Sequence, residues 1–325
     1  MSNKQETLLS IRNLRKYFAQ RGGLFNRNKS YLHALESVSF DIARGETLGL
    51  VGESGCGKST LGKTLLRLYE PDSGEIIFDG KNICAASREE MRALRKRMQM
   101  VFQDPYDSLN ARHTVGDIIE EPLIVHSVGT KQSRRDTVQQ LLQQVGLSPD
   151  AAQRYPHEFS GGQRQRIGIA RAIALQPEFI VLDEPLSALD VSVQAQIINL
   201  LLELRASMKL SLLFISHDLS VVRHISDRVA VMYLGEIVEI ADAATIYSQA
   251  KHPYTQYLIA SIPQPIPGTQ QPAALDGEVP SPINPPSGCR FHTRCPQAKD
   301  ICKTQAPKLI ERDGDTTHLT ACHFA

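Results

Sequence analysis

Residues Gly52-Glu53-Ser54-Gly55-Cys56-Gly57-Lys58-Ser59 fit the spacing G-x-x-x-x-G-K-S/T, directly after the apolar stretch Thr47–Val51 and before a helix-like run from Lys58 to Leu68. Glycines so placed let successive backbone N–H groups turn inward around phosphate oxygens, and the start of a helix adds positive potential. In such a cradle Lys58 neutralises the β- and γ-phosphates and Ser59 holds Mg²⁺. Gly52, Ser54, Gly55, Cys56, Gly57 and Thr60 make up the rest of the binding loop. A glycine-rich turn with an exposed lysine is the competing reading, and the flanking strand and helix weigh against it.

A second chemical pair stands at Asp183-Glu184, after the apolar run Phe179-Ile180-Val181-Leu182. Two carboxylates at the end of a buried strand beside a phosphate loop divide two tasks. Asp183 suits a Mg²⁺ ligand, directly or through water, and Glu184 suits a general base that polarises attacking water. Four cysteines form a third group: Cys289, Cys295, Cys302 and Cys322, spaced C-x5-C-x6-C-x19-C, whereas Cys56 and Cys84 lie far away and read as structural. The spacing lacks the C-x2-C pair of an ordinary zinc ribbon. Four thiolates can ligate a [4Fe–4S] cluster. Zinc, with His292, His318 or His323 as substitute ligands, and free thiols remain open, and these histidines otherwise read as surface residues.

Elements that position these residues follow from periodicity. Residues 8–12 and 36–50 read as strands, as do Met98–Phe102, Phe179–Leu182, Leu212–Ile215 and Val229–Tyr233. Residues 115–175 read as helical. Val138, Leu141, Leu142 and Val145 fall at helical spacing, with Ser133 as cap and Gly146 as stop. Strands alternating with helices predict an α/β chain with a parallel core and a helical insertion. Residues 261–288 hold eight of the 18 prolines, which excludes a helix or central strand and predicts a semi-rigid connector. The charge balance, 36 Lys+Arg against 35 Asp+Glu, argues against nucleic acid as the partner. No apolar run reaches the ~20 residues that a membrane span needs, and the polar N-terminus lacks the apolar core of a secretion signal. The chain is expected in the cytoplasm, reaching a membrane only through partners.

Phe159-Ser160-Gly161-Gly162-Gln163 resembles the LSGGQ signature of ATP-binding cassette (ABC) proteins, with Phe for Leu at a position that mainly packs. Gln103 in Val101-Phe102-Gln103-Asp104 resembles the family's Q-loop glutamine, Ser187-Ala188-Leu189-Asp190 its D-loop, and His217 in Ile215-Ser216-His217-Asp218 its switch histidine. The motifs run in family order over residues 8–245. The resemblance implies an ABC-type P-loop ATPase core over residues 1–248, with a helical subdomain at about 105–175, that binds ATP and Mg²⁺. It implies that Gln103 binds Mg²⁺ and the attacking water, that His217 contacts the γ-phosphate, and that Tyr17 stacks on adenine, with Phe18 and Tyr31 as alternatives. Ser160, Gly161, Gly162 and Gln163 would complete the ATP site of an opposing cassette.

Residues 249–325, with His252-Pro253-Tyr254-Thr255, the Pro-rich stretch and the cysteines, resemble the small Cys-rich C-terminal extension of ATPases that drive oligopeptide and dipeptide importers. That resemblance implies a second ATPase subunit, commonly a paralogue, two integral membrane subunits and an extracytoplasmic substrate-binding protein, with the ATPases peripheral at the cytoplasmic face of the inner membrane. Some members of this group carry a [4Fe–4S] cluster in the extension. Relatives also serve nickel, glutathione and opine-type substrates. A soluble, non-transport cassette acting on ribosomes or DNA is the alternative class; its members carry paired cassettes or long coiled-coil insertions, and neither occurs here.

Overall fold

Strongly apolar five-residue strands and amphipathic helices build both parts of the chain. The computed structural model describes residues 6–20, 30–104, 108–262, 278–312 and 315–325. The chain divides into two compact units, one holding Ala43–Glu46 and Ala85–Ile215, the other Thr7–Ile42, Thr47–Cys84 and Ser216–Ala325.

In the first unit the strands Met98–Val101, Phe179–Asp183 and Ser211–Ile215 run parallel, with Val101 opposite Leu182 and Asp183 opposite Ile215. Every residue of the second and third strands is buried, as expected of parallel strands covered on both faces. Helices Val115–Val125, Lys131–Gln144 and Gly161–Ile173 make up the helical insertion. Val138, Leu141 and Leu142 bury the apolar stripe read from the sequence. The cap lies one turn earlier than expected: Thr130 closes a capping box with Ser133 at the third helical position. Gly146 follows at φ 74°, the left-handed stop that a glycine favours. Residues 105–107, at the start of the expected insertion, lie outside the described residues.

In the second unit an antiparallel sheet runs in the order Ser30–Ala43, Thr7–Gln20, Ser73–Phe78, Lys81–Asn82. Its strands Ser73–Phe78 and Lys81–Asn82 were not read from the sequence. The expected strand 36–50 is two strands, broken where Gly45 takes φ 71°. Thr47–Val51 pairs in parallel with Arg228–Tyr233, Val51 opposite Val231. Glu236–Asp242 pairs antiparallel with Arg228–Tyr233 on one side and with Asp315–Thr320 on the other, Ile240 opposite Leu319.

This last pairing joins the cysteine-rich extension to the sheet of the second unit, so its apolar residues have a core to share. Phe291, 1% exposed, meets Tyr233 edge-on at 5.2 Å and Tyr254 at 5.3 Å. The sequence reading divides the chain at 248/249, whereas the compact unit joins Ser216–Ala325 to the glycine-rich loop. Pro263, Pro265, Pro267 and Pro272 lie outside the described residues; Pro280, Pro282, Pro285 and Pro286 sit in irregular backbone, where the Pro282 carbonyl accepts from His33 N–H at 2.9 Å. Among the described residues no helix is long and apolar enough to cross a membrane.

Candidate functional site

The glycine-rich loop joins Thr47–Val51 to helix Lys58–Leu65 in the second unit. Gly57 takes φ 110° as the N-cap, and a Cβ there would stand 2.3 Å from the Ala34 carbonyl oxygen. No side chain caps this helix. Its first N–H groups, which have no partner within the helix, face the loop, the arrangement that binds anions. Gly52 is equally constrained, since a Cβ would reach the Met232 carbonyl oxygen at 2.2 Å. Lys58 is 4% exposed and donates to the carbonyls of Gly52 at 2.8 Å and Glu53 at 3.0 Å, so its charge lies across the loop's mouth. Cys56 is buried, and burial pushes its thiol pKa up, consistent with a structural role. The turn carrying His217 is tied to the same strand, Ser216 N–H donating to Leu50 O at 3.2 Å. His217 itself is exposed, before Asp218, which caps helix Leu219–Ile225.

The first unit supplies the acids. Asp183 is 2% exposed at the end of its strand. Glu184 follows at φ 45°, a backbone region costly for a non-glycine residue. Glu184 N–H donates to Ile215 O at 3.0 Å, which holds this turn. Gln103 Nε2 donates to Glu184 Oε2 at 2.9 Å, joining the two residues named for the attacking water. Ser160, Gly161, Gly162 and Gln163 open helix Gly161–Ile173. Ser160 Oγ accepts from Gln163 N–H at 3.4 Å while Gln163 Oε1 accepts from Ser160 N–H at 3.0 Å. A Cβ on Gly162 would meet Val193 Cγ1 at 2.4 Å. Phe159 is buried beneath the Arg154 guanidinium, 4.5 Å from its ring centre, as a packing residue would be.

Tyr17 and Phe18 have different neighbours. The Tyr17 ring lies 4.6 Å from that of His33, and its hydroxyl donates to the Glu36 carboxylate at 3.0 Å. Phe18 meets Tyr69 edge-on at 5.3 Å under the Lys16 ammonium. Tyr31 is exposed. Burial alone would raise the Glu36 pKa, yet hydrogen bonds from His33 and Tyr17 and the charges of Arg290 and Arg15 hold it below the usual carboxylate value.

Cys289, Cys295, Cys302 and Cys322 line one cavity of about 20 Å³, with His292, His323 and Phe291 also in its wall. None of the six cysteines forms a disulfide. Burial pushes the Cys289 thiol up to about 11, opposed by the Phe291 N–H and reinforced by the other three cysteines. Among the described residues, however, no group of three or more His, Cys, Asp or Glu side chains is placed to hold a metal ion. The expected iron–sulfur or zinc centre therefore gains a shared cavity and nothing more. The histidine expectation also changes. His318 is 1% exposed and bonds Glu239 Oε1 at 2.7 Å, while His292 and His323 are half-buried and bond the carbonyls of Cys289 and Gln305.

Sequence reading missed the polar partners that reach these loops from afar, among them Tyr254, Arg290 and Arg294. Nothing in their local spacing marks them, since their partners lie some 200 residues away or more.

Comparison with known proteins gives the same outline. The ABC transporter family matches residues 35–187, and the family described as the oligopeptide/dipeptide transporter C-terminal region matches residues 238–302. The chain is 54% identical over 324 residues to the oligopeptide transport ATP-binding protein AppF of Bacillus subtilis, covering 98% of each chain. It is 53% identical to a Brucella ovis ATP-binding protein named for peptide import, covering 97% of each. A dimeric ATP-binding cassette in a post-hydrolysis state with ADP and Pi is similar at a TM-score of 0.65 and 28% identity, over 73% of this chain and 99% of that one. A Clostridium perfringens cassette that is part of an ABC transporter complex gives 0.64 and 27%, over 75% and 92%. With a phosphate loop, an acidic strand end and a signature helix in family order, the chain belongs to the ABC transporter family as one of its ATP-hydrolysing subunits.

Proposed function

We propose that this chain powers import of dipeptides or oligopeptides by hydrolysing ATP as one member of a cassette pair. The supporting observation is the match of residues 238–302 to the peptide-transporter C-terminal region, joined to near full-length similarity to two proteins named for peptide transport. Its partners on this reading are a second ATPase subunit, a paralogue or a second copy, two integral membrane subunits and an extracytoplasmic substrate-binding protein. The chain sits peripherally at the cytoplasmic face of the inner membrane.

The residues divide the chemistry as follows. N–H groups of the loop from Gly52 to Thr60 and the Lys58 ammonium hold the phosphates. Tyr17 stacks on adenine, its hydroxyl anchored by Glu36. Ser59, Asp183 and Gln103 offer the oxygen donors that Mg²⁺ prefers, and the metal supplies charge neutralisation on the phosphates. Glu184, oriented by Gln103, takes the proton from the attacking water, and His217 holds the γ-phosphate in place. Ser160, Gly161 and Gly162 offer N–H groups at a helix start to the ATP of the opposing cassette. ATP favours the closed pair and hydrolysis releases it.

For the four cysteines the proposal is a [4Fe–4S] cluster of structural role. The four thiols sharing one cavity wall support it, and a cluster spreads its ligands more widely than zinc, whose four donors must converge on one ion. Anaerobically purified protein should be brown; colourless, zinc-loaded or metal-free protein overturns the cluster.

The experiment for the main reading is to co-express the chain with its candidate membrane subunits, purify the assembly, and identify the ligand on the binding protein by mass spectrometry. A peptide is expected. Nickel, glutathione or an opine-type ligand would overturn the cargo, and a chain that never joins membranes would overturn the transporter role.

A further inference from the structure

Two arginines of the loop Cys289–Cys295 reach, within the second unit, the elements read above as the nucleotide site. Arg294 donates from both terminal nitrogens to Glu53, Nη1 to Oε2 at 2.9 Å and Nη2 to Oε1 at 3.2 Å. The arginine side chain is 7% exposed and the carboxylate 25%, so this bidentate pair is largely shielded from water. Glu53 is the second residue of the glycine-rich loop. Its own N–H donates to the Tyr254 hydroxyl at 2.9 Å, and its carbonyl accepts from Lys58. One residue of the loop is thus fixed at its side chain, amide and carbonyl, two of these contacts coming from residues after 250. Tyr254 is fully buried, with its ring 4.8 Å from Tyr233. The Tyr233 hydroxyl and Arg294 Nε are buried without a hydrogen bond of good geometry, so the bidentate contact with Glu53 is the main polar anchor of this guanidinium.

Arg290, four residues earlier, repeats the arrangement on the aromatic side. It donates to the Leu234 carbonyl, and its Nη2 and Nε lie 3.3 Å from Glu36 and 2.9 Å from Glu236. Glu36 is the carboxylate that receives the Tyr17 hydroxyl. Leu234 belongs to a turn whose Gly235 N–H donates to the Cys56 carbonyl in the phosphate loop at 2.8 Å.

We propose that the loop Cys289–Cys295 is a positioning element of the nucleotide site, Arg294 with Tyr254 fixing the phosphate loop through Glu53 and Arg290 fixing Tyr17 through Glu36. The inference rests on reading residues 52–59 as the phosphate site. Its physical content is pre-organisation. A loop already held in shape loses little freedom when ATP binds, whereas a released loop must be ordered by the ligand, which weakens apparent affinity. ATP affinity thereby becomes a property of the folded extension. Neither arginine touches nucleotide on this account, so binding should suffer more than turnover at saturation.

The test is ATP titration of the full chain, followed by thermal unfolding and turnover at saturating ATP. Arg294→Ala should weaken ATP binding about tenfold, the scale of losing a pre-organised loop state, with a much smaller change in turnover at saturation. Arg294→Lys should recover part of the loss. Tyr254→Phe, which keeps the ring and removes only the hydroxyl, should weaken binding about threefold without lowering the melting temperature appreciably, and so covers the case in which Arg294→Ala fails to fold. Combining Arg294→Ala with Glu53→Ala should cost no more than the worse single change, because both break one contact. Wild-type affinity in Arg294→Ala and Tyr254→Phe, with Lys58→Ala losing ATP, overturns the inference and leaves the phosphate site standing. Additive losses overturn the Glu53 connection. Retained affinity in Lys58→Ala overturns the phosphate site itself.

Discussion

Two helices of this protein meet phosphate on the proposed reading, and they open differently. Helix Lys58–Leu65 begins at a left-handed glycine with no side-chain cap. Helix Gly161–Ile173 begins with Ser160 and Gln163 satisfying each other's N–H groups in a capping box. At the first end Lys58 already lies across the loop, bonded to the carbonyls of Gly52 and Glu53. At the second, the cap takes up the Ser160 and Gln163 N–H groups within the chain itself. On the proposed reading the first helix start serves the chain's own ATP and the second that of an opposing cassette.

Four measurements break or sharpen this contrast. The largest effect belongs to the acid end: Glu184→Gln should cut turnover by about 10²–10⁴-fold, the usual worth of a general base, while ATP binding at the glycine-rich loop persists. Normal turnover would remove Glu184 from the role of base. The next separates the two units by acid. Burial holds the His252 pKa at about 4 against 6.5 for an ordinary histidine. Since the unfolded chain then binds more protons between these values, this contribution is full above about pH 6.5, falls as pH drops, and is gone near pH 4, a loss of ~3 kcal/mol. The unit that holds the phosphate loop should therefore lose its fold in acid before the signature unit. His252→Asn, which retains an acceptor for Tyr254 N–H, should flatten the profile followed by hydrogen exchange.

Third, Lys58→Ala should weaken ATP binding by ~1.5–3 kcal/mol, or roughly 10- to 150-fold, because a charge-assisted contact is removed. An equal loss in turnover at saturating ATP would show that the lysine acts on the reaction as well as on binding. Smallest is Ser160→Ala, which removes a capping acceptor and should cost ~1 kcal/mol of stability in the signature unit. ATP binding to the single chain should stay unchanged and paired turnover should fall; if single-chain binding falls instead, the division of labour between the two helix starts is wrong.

How much of this was legible in the sequence depended on the range of the interaction. The glycine-rich loop, the acids and Ser160–Gln163 were readable because each motif carries its constraint within a few residues. So were the fully buried strands Phe179–Asp183 and Ser211–Ile215, whose apolar runs admit few other readings. The cap at Thr130 was displaced because Ser133 is also a good cap residue, and the two bind one another. Strands Ser73–Phe78 and Lys81–Asn82 were lost because half-exposed strands lack a continuous apolar run. Glu53–Arg294 and Glu239–His318 could not be read locally at all. A buried polar pair between distant residues leaves only two ordinary polar letters in the sequence.

The pairing of Asp315–Thr320 on Glu236–Asp242 has a consequence for synthesis. Strand Glu236–Asp242 leaves the ribosome about 70 residues before its neighbour, and at ~5–20 residues per second its outer edge waits several seconds for cover. During that interval the edge offers unpaired N–H and C=O groups to any passing strand, including one from a sister chain on the same message. The nascent chain is thus most prone to pair wrongly in the interval before Asp315–Thr320 is made. Chains that stall before residue 315 should be found in aggregates or with chaperones, even though every ATP motif has already been translated.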